Sequence, residues 1–146
     1  MPTKRAPGKN SVTVLYAVAR RGLPSTARFR RWALAVASSE VNLVVVGERE
    51  SRRLNAKFRG KRKAANVLSF PYGNGAGDVV LCHPVIAREA RAQGKALAAH
   101  YAHLVVHGVL HLRGHTHERP PQARRMERAE IRALRRFGLR NPYELE

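Results

Sequence analysis

The chain of 146 residues has one cysteine and one aspartate. The single thiol, Cys82, allows no disulfide within the chain and fits a reducing compartment such as the cytoplasm. No apolar run approaches the ~20 residues that span a bilayer as a helix, so no membrane partner is expected. Acidic groups are scarce: ten Asp and Glu stand against twenty-eight Lys and Arg, a formal charge of +18. Such a balance points to a polyanion partner, most often nucleic acid, and says nothing about which sequence is bound. A merely solubilising basic surface is the blander reading, and the clustering of the cations argues against it. There is no internal repeat and no low-complexity linker. Lys4, Arg5 and Lys9 have no apolar region behind them, so residues 1–10 read as a short, mobile basic tail rather than a secretory signal.

What is present suits one domain over residues 11–146, long enough for a real core. Ser11 to Val18 alternates and reads as a strand. Ser25 can cap a helix with Phe29, Trp32, Ala33 and Val36 on one face. Val41 to Val46, apolar at every position but Asn42, is expected as a buried strand. Glu48 to Phe58 reads as a helix ended by Gly60. Asn66 to Tyr72 and Asp78 to Cys82 read as strands joined by Gly73-Asn-Gly75-Ala-Gly77, a glycine-rich stretch that suits a hairpin or a site-lining turn. Helices are expected over Pro84–Gln93, Ala98–Leu112 and from Pro120 to about Phe137, the last with Met126, Ile131 and Leu134 facing the core. Strands come mainly first and helices later, which favours an α+β fold over a regular βαβ repeat.

Six of the seven histidines fall between His100 and His117. His107 and His111 are four apart, so a helix stacks them on one face. Gly114 can end that helix in the left-handed conformation. The chain can then double back and bring His117 to the same point. Three imidazoles with an open fourth position make a catalytic zinc site. His115 is a rival third ligand, but His117 leaves more room for the reversal. His100 and His103 read as packing or bracing groups. His83, before Pro84, reads as a surface residue or a helix start.

Lys57, Arg59, Lys61, Arg62 and Lys63 place five cations in seven residues. They are either a solvated helix end or a phosphate clamp. Within a clamp Arg59 is the best candidate, because guanidinium binds phosphate through two parallel hydrogen bonds. Asp78 could brace its turn. Alternatively it could accept a proton from a ligand histidine or orient a metal-bound water.

The segment His107-Gly-Val-Leu-His111-Leu-Arg-Gly114-His115-Thr116-His117 resembles the histidine motif of the bacterial YbeY family of metal-dependent endoribonucleases. Three further blocks resemble that family in order. They are Leu54-Asn55 through Phe58-Arg59-Gly60-Lys61 with Asn66-Val-Leu-Ser69-Phe70-Pro71, then Gly77-Asp78-Val-Val-Leu-Cys82, then Gly138-Leu-Arg-Asn141-Pro142-Tyr143. The resemblance implies one Zn²⁺ on His107, His111 and His117, with Arg59 near the cleaved phosphate. It implies a single α+β domain, a small mixed sheet packed with helices, and the metal in a cleft. It further implies work on precursor ribosomal RNA, at the small-subunit 3′ end, with quality control of ribosomes and contact with ribosomal proteins. Asp78, Lys61, Ser69 and His115 become candidates for bracing a ligand or touching RNA. The chain departs from the family pattern at Thr116 (usually aspartate), His115 (usually tyrosine), Arg62 (commonly aspartate) and Ala64-Ala65 (Pro-Thr). Glu118 is the adjacent carboxylate and a candidate substitute for the missing aspartate.

Two other readings compete. A zinc peptidase usually carries a glutamate general base directly after the first histidine; here that position is Gly108, which has no acid–base group. A non-catalytic RNA or ribosome assembly factor would hold zinc structurally. Structural zinc usually takes four protein ligands, often with cysteines.

Overall fold

A computed structural model describes residues 10–144. The basic tail expected at 1–10 therefore lies, apart from Asn10, outside the described residues. The elements are β1 (Ser11–Tyr16), α1 (Thr26–Leu34), β2 (Glu40–Val46), α2 (Glu48–Arg59), β3 (Val67–Gly73), β4 (Ala76–Cys82), α3 (His83–Gln93), α4 (Leu97–Leu112) and α5 (Pro120–Arg135). The strands form one mixed sheet in the order β1-β2-β4-β3. β2 pairs parallel with both β1 and β4, and β3 pairs antiparallel with β4. The fold is a single α+β domain.

The apolar run of β2 is explained by its central place. Val41, Leu43 and Val45 enter the main core, while Val44 and Val46 enter a smaller cluster. Successive side chains point to opposite faces, so a strand covered on both sides is apolar along most of its length; here only Asn42 interrupts it, and it bonds to Asp78. The main core joins the sheet to α1, α4 and α5; the smaller one packs Leu54 of α2 and Val85 of α3 over Val80, Cys82 and Leu68. α1 starts where Ser25 Oγ accepts the Arg28 backbone N–H at 3.2 Å. Its Phe29 meets Trp32 and Tyr101 edge to face at 5.7 and 5.3 Å between ring centres, contacts worth about 0.5–1.5 kcal/mol each beyond area. α4 is apolar on most sides because it is sandwiched between the sheet and α1, α3 and α5.

The glycine-rich turn is a tight hairpin. β3 and β4 run on to Gly73 and Ala76, and only Asn74 and Gly75 lie between them, with φ of 58° and 85°. Positive φ at both central positions is the requirement of a type I′ turn, which Asn-Gly meets. Pro71 is tolerated because β3 is an edge strand.

Two local expectations change. β1 ends at Tyr16 rather than Val18, although the Ala17 N–H still donates to the Val45 carbonyl at 2.8 Å. On α5, Met126 and Leu134 are buried as expected, but Ile131 is only half-buried, and Glu130 takes the inward position. Residues 126, 130 and 134 repeat every four and share a face; Ile131 is turned about 100° from Glu130.

Candidate metal centre

α4 carries His107 and His111 on one face, and their rings lie 4.6 Å apart between centres. The chain turns at Gly114, where φ is 95°. His117 returns to within 5.7 Å of the His107 ring and 5.1 Å of the His111 ring. One nitrogen from each of the three lies within 4.8 Å of the others. His107 and His111 are half-buried and His117 is exposed, so the group opens to solvent on the His117 side.

The hydrogen bonds fix which nitrogens face inward. His107 Nδ1 lies 2.6 Å from Glu130 Oε2. His111 Nδ1 lies 2.9 Å from the His115 backbone oxygen. A carbonyl and an ionised carboxylate can only accept, so both Nδ1 atoms carry protons and donate. With neutral rings, each Nε2 then presents a bare lone pair, and the two sit 3.1 Å apart. Two lone pairs aimed at one another repel unless a cation lies between them. Tetrahedral zinc with bonds of about 2.0–2.1 Å separates its nitrogens by roughly 3.3 Å. The donor set therefore fits a zinc-type ion. Burial, and then the neighbouring His107 and His117, hold His111 down at about 4, so its lone pair is free at neutral pH.

The carboxylate behind His107 is the feature that the sequence reading did not find. Glu130 has no solvent exposure. Its Oε1 accepts from His103 Nε2 at 2.9 Å and from the Tyr143 hydroxyl, and its Oε2 takes His107. Burial pushes this carboxyl up, but hydrogen bonds from His103, His107 and Tyr143 outweigh it and bring the group to about 2. It is therefore a fixed anion. Carboxylate–histidine pairs of this kind set the tautomer and orientation of a metal ligand. The signal available was a charged residue on the apolar stripe of α5, midway between Met126 and Leu134.

Arg59 is linked to the same helix through β3. It is the last residue of α2, where Gly60 reverses the chain at φ 69°. Arg59 Nη2 donates to the Ser69 carbonyl at 2.6 Å, and the guanidinium lies 5.8 Å from the centre of the Phe70 ring. The Ser69 hydroxyl donates to the Gly108 carbonyl at 2.9 Å. One residue of β3 thus connects the arginine to the helix turn that carries His107.

Known proteins resemble the chain along nearly all its length. The family model described as "Endoribonuclease YbeY" matches residues 11–138. The chain belongs to the YbeY family. An Endoribonuclease YbeY of Aromatoleum aromaticum is 49% identical over 149 residues, covering 97% of this chain and 97% of the relative. That of Stenotrophomonas maltophilia is 44% identical over 155 residues, covering 95% and 96%. That of Bordetella avium is 46% identical over 152 residues, covering 92% and 94%. The fold is also similar to a solution structure of a Thermotoga maritima protein, with a TM-score of 0.55 and 19% identity, over 92% of this chain and 100% of that one.

Within this YbeY-family site the remaining candidates separate. Ser69 is buried and links the two halves as described. His115 contributes its backbone oxygen to His111, while burial, and then the charges of Arg113 and Arg125, hold its ring below the ordinary histidine range. The three-residue group that converges contains His117 and not His115. Asp78 accepts from Asn42 Nδ2 at 2.9 Å, a bond between β2 and β4. The bracing role considered for Asp78 toward a ligand histidine belongs in geometry to Glu130. Lys61 is exposed; its backbone N–H donates to the Asn55 carbonyl, and Asn55 Nδ2 in turn holds the Lys63 carbonyl at 2.8 Å. Thr116 Oγ1 donates to Gln122 Oε1 at 3.0 Å, and Glu118 is exposed. His103 braces Glu130, and His100 is buried 2.8 Å from Glu89. His83 opens α3 and lies 2.8 Å from the Tyr101 hydroxyl.

Gly108 bears on the peptidase reading. A Cβ there would come within 2.6 Å of Val79 Cγ1 and 3.3 Å of Ser69 Oγ. The position faces the sheet, so it has no room for a glutamate and would not aim one at the three histidines.

Proposed function

We propose that this chain is a zinc-dependent endoribonuclease that cuts single-stranded RNA. We further propose that its work is maturation of the small-subunit ribosomal RNA 3′ end and quality control of ribosomes in the cytoplasm. Family membership supports the enzyme class, a hydrolase of RNA phosphodiester bonds. The observation that carries the metal reading is the convergence of His107, His111 and His117, with Nδ1 of the first two already engaged in donation. A zinc ion bound there supplies a Lewis acid and acidifies water at neutral pH.

The chain's own residues do the rest. Glu130 fixes His107 and keeps its Nε2 turned inward. The His115 carbonyl does the same for His111. The guanidinium of Arg59 keeps most of its donors free beyond the bond to Ser69. It stands ready to take the charge that grows on the phosphate in the transition state. A surface at +18 draws the RNA in and holds it through its backbone.

Cleavage of a ribosomal RNA 3′-end substrate, with and without chelator, beside Arg59→Ala, tests this. Metal-dependent cuts that weaken about 10²–10³-fold in Arg59→Ala, with metal content unchanged, are expected. Tight RNA binding without cuts in fully loaded protein would favour the assembly-factor reading.

A further inference from the structure

A second basic feature lies on the other side of the His111–His115 turn. The ends of α1 and α4 and one face of α5 line a half-open cavity of about 340 Å³. Four arginines line it: Arg113 just past the end of α4, Arg125 and Arg132 from α5, and Arg136 just past its end. His115 also lines it, and no carboxylate does. On α5, positions 125, 129, 132, 133 and 136 fall on one face.

Two of the four cations are fixed in place. Arg113 Nη1 donates to the Val36 carbonyl at 3.0 Å, and Arg136 Nη1 donates to the Ala35 carbonyl at 3.4 Å. Each leaves its other guanidinium donors available. Arg125 and Arg132 are exposed and make no hydrogen bond or ion pair among the described residues. Like charges four apart on a helix, as at Arg132 and Arg136, destabilise it. Four guanidinium groups around one hollow, with no carboxylate among the described residues that line it, raise that cost. An external anion relieves it. Guanidinium donors suit phosphate by bidentate geometry. The volume falls at the low end of small-ligand pockets, roughly 300–1,000 Å³, enough for about one nucleotide.

We propose that this cavity is a phosphate-binding site for the RNA chain, separate from the Arg59 side of the metal centre. It rests on the reading of the chain as an RNA nuclease. His115 joins the two places: it lines the cavity, and its backbone oxygen holds His111. One nucleotide seated here anchors the RNA while another part of the strand reaches the histidines.

The test is RNA affinity of the metal-loaded protein at several salt concentrations in phosphate-free buffer. Wild type is compared with Arg125→Ala/Arg132→Ala, and with Arg124→Ala/Arg128→Ala as a control. The control removes the same charge from exposed positions of the same helix that do not line the cavity. The cavity variant should lose about tenfold in affinity, and its log–log salt slope should drop by about 0.7 for each phosphate released. KM should rise with kcat and metal content unchanged, and the control should lose clearly less. Equal losses in both double variants would overturn the site, because charge alone would then explain them. Loss of inorganic phosphate binding with RNA affinity intact would overturn the RNA assignment, as would loss of ribosomal protein binding alone. Absence of RNA cleavage by wild type would count against the nuclease reading and leave the affinity comparison standing.

Discussion

Glu130 of α5 and His107 of α4 are joined by a hydrogen bond of 2.6 Å between Oε2 and Nδ1, with the carboxylate wholly buried. Removing the charge while keeping the shape isolates its effect on the metal. Glu130→Gln is expected to weaken zinc affinity about 10–100-fold, read by competition with a chromophoric chelator. Tyr143→Phe should weaken it less, because His103 and His107 remain on the carboxylate. Glu130→Ala should also destabilise the metal-free fold by about 3–5 kcal/mol, since it strips the partner from a buried network. Unchanged zinc affinity in Glu130→Gln would sink the bracing role.

Gly108 brings α4 against β3 and β4. In Gly108→Ala the new methyl meets the Val79 side chain at 2.6 Å, and the helix must lift. Overpacking of this kind costs about 1–3 kcal/mol. The same lift stretches the Ser69–Gly108 bond that ties the Arg59 side to the metal side. Denaturant unfolding should show the stability loss, and the cleavage rate should fall more than metal content.

Removal of metal should leave the protein folded. The main core of Phe29, Leu43, Val79, Tyr101, Val105 and their neighbours is built without the three histidines. Chelated protein should therefore keep its far- and near-UV circular dichroism. Zinc at 100 times its dissociation constant should raise stability by about 2.7 kcal/mol, seen as a higher thermal midpoint. Loss of near-UV signal on chelation would show instead that the metal is structural.

Acid should weaken the metal-free protein in two stages. His111 is held at about 4 against an ordinary 6.5, through burial and then His107 and His117. The unfolded chain takes up this proton first. The stabilisation is complete above pH 6.5 and is lost as pH falls toward 4. His83, His100 and His115, also lowered, add to the same stage. Glu130, at about 2 against 4.5, contributes fully above pH 4.5 and less as pH falls toward 2. Thermal midpoints between pH 8 and 3 should be flat at first, decline below 6.5 and steepen below 4.5. His111→Ala should shrink the first stage. A midpoint that rises on acidification from 6.5 to 5 would contradict this assignment.

The sequence by itself determined the parts that depend on local spacing. His107 and His111 face the same way because a helix repeats every 3.6 residues. Gly114 and His117 follow within one turn, so the three-histidine group was legible from a short stretch. The Val41–Val46 run, apolar but for Asn42, announced a buried strand, and the glycine-rich stretch from Gly73 to Gly77 a hairpin or a site-lining turn, of which the structure forms the hairpin. Arg59 was picked by its resemblance to a family motif, since five neighbouring cations look alike to composition.

Only the tertiary structure decided what stands behind those residues. Glu130 is 23 residues from His107, and no local pattern ties them; α5 must pack on α4 before the carboxylate finds its histidine. Asp78, near the turn and alone of its kind, lies on the sheet beside Asn42 instead. Ser69 reaches Gly108 across 39 residues because a glycine lets helix and sheet approach. The four arginines around the cavity come from two helices and their ends, which meet only in the folded chain. Helical spacing fixes direction within an element; which elements meet is fixed by the core they bury together.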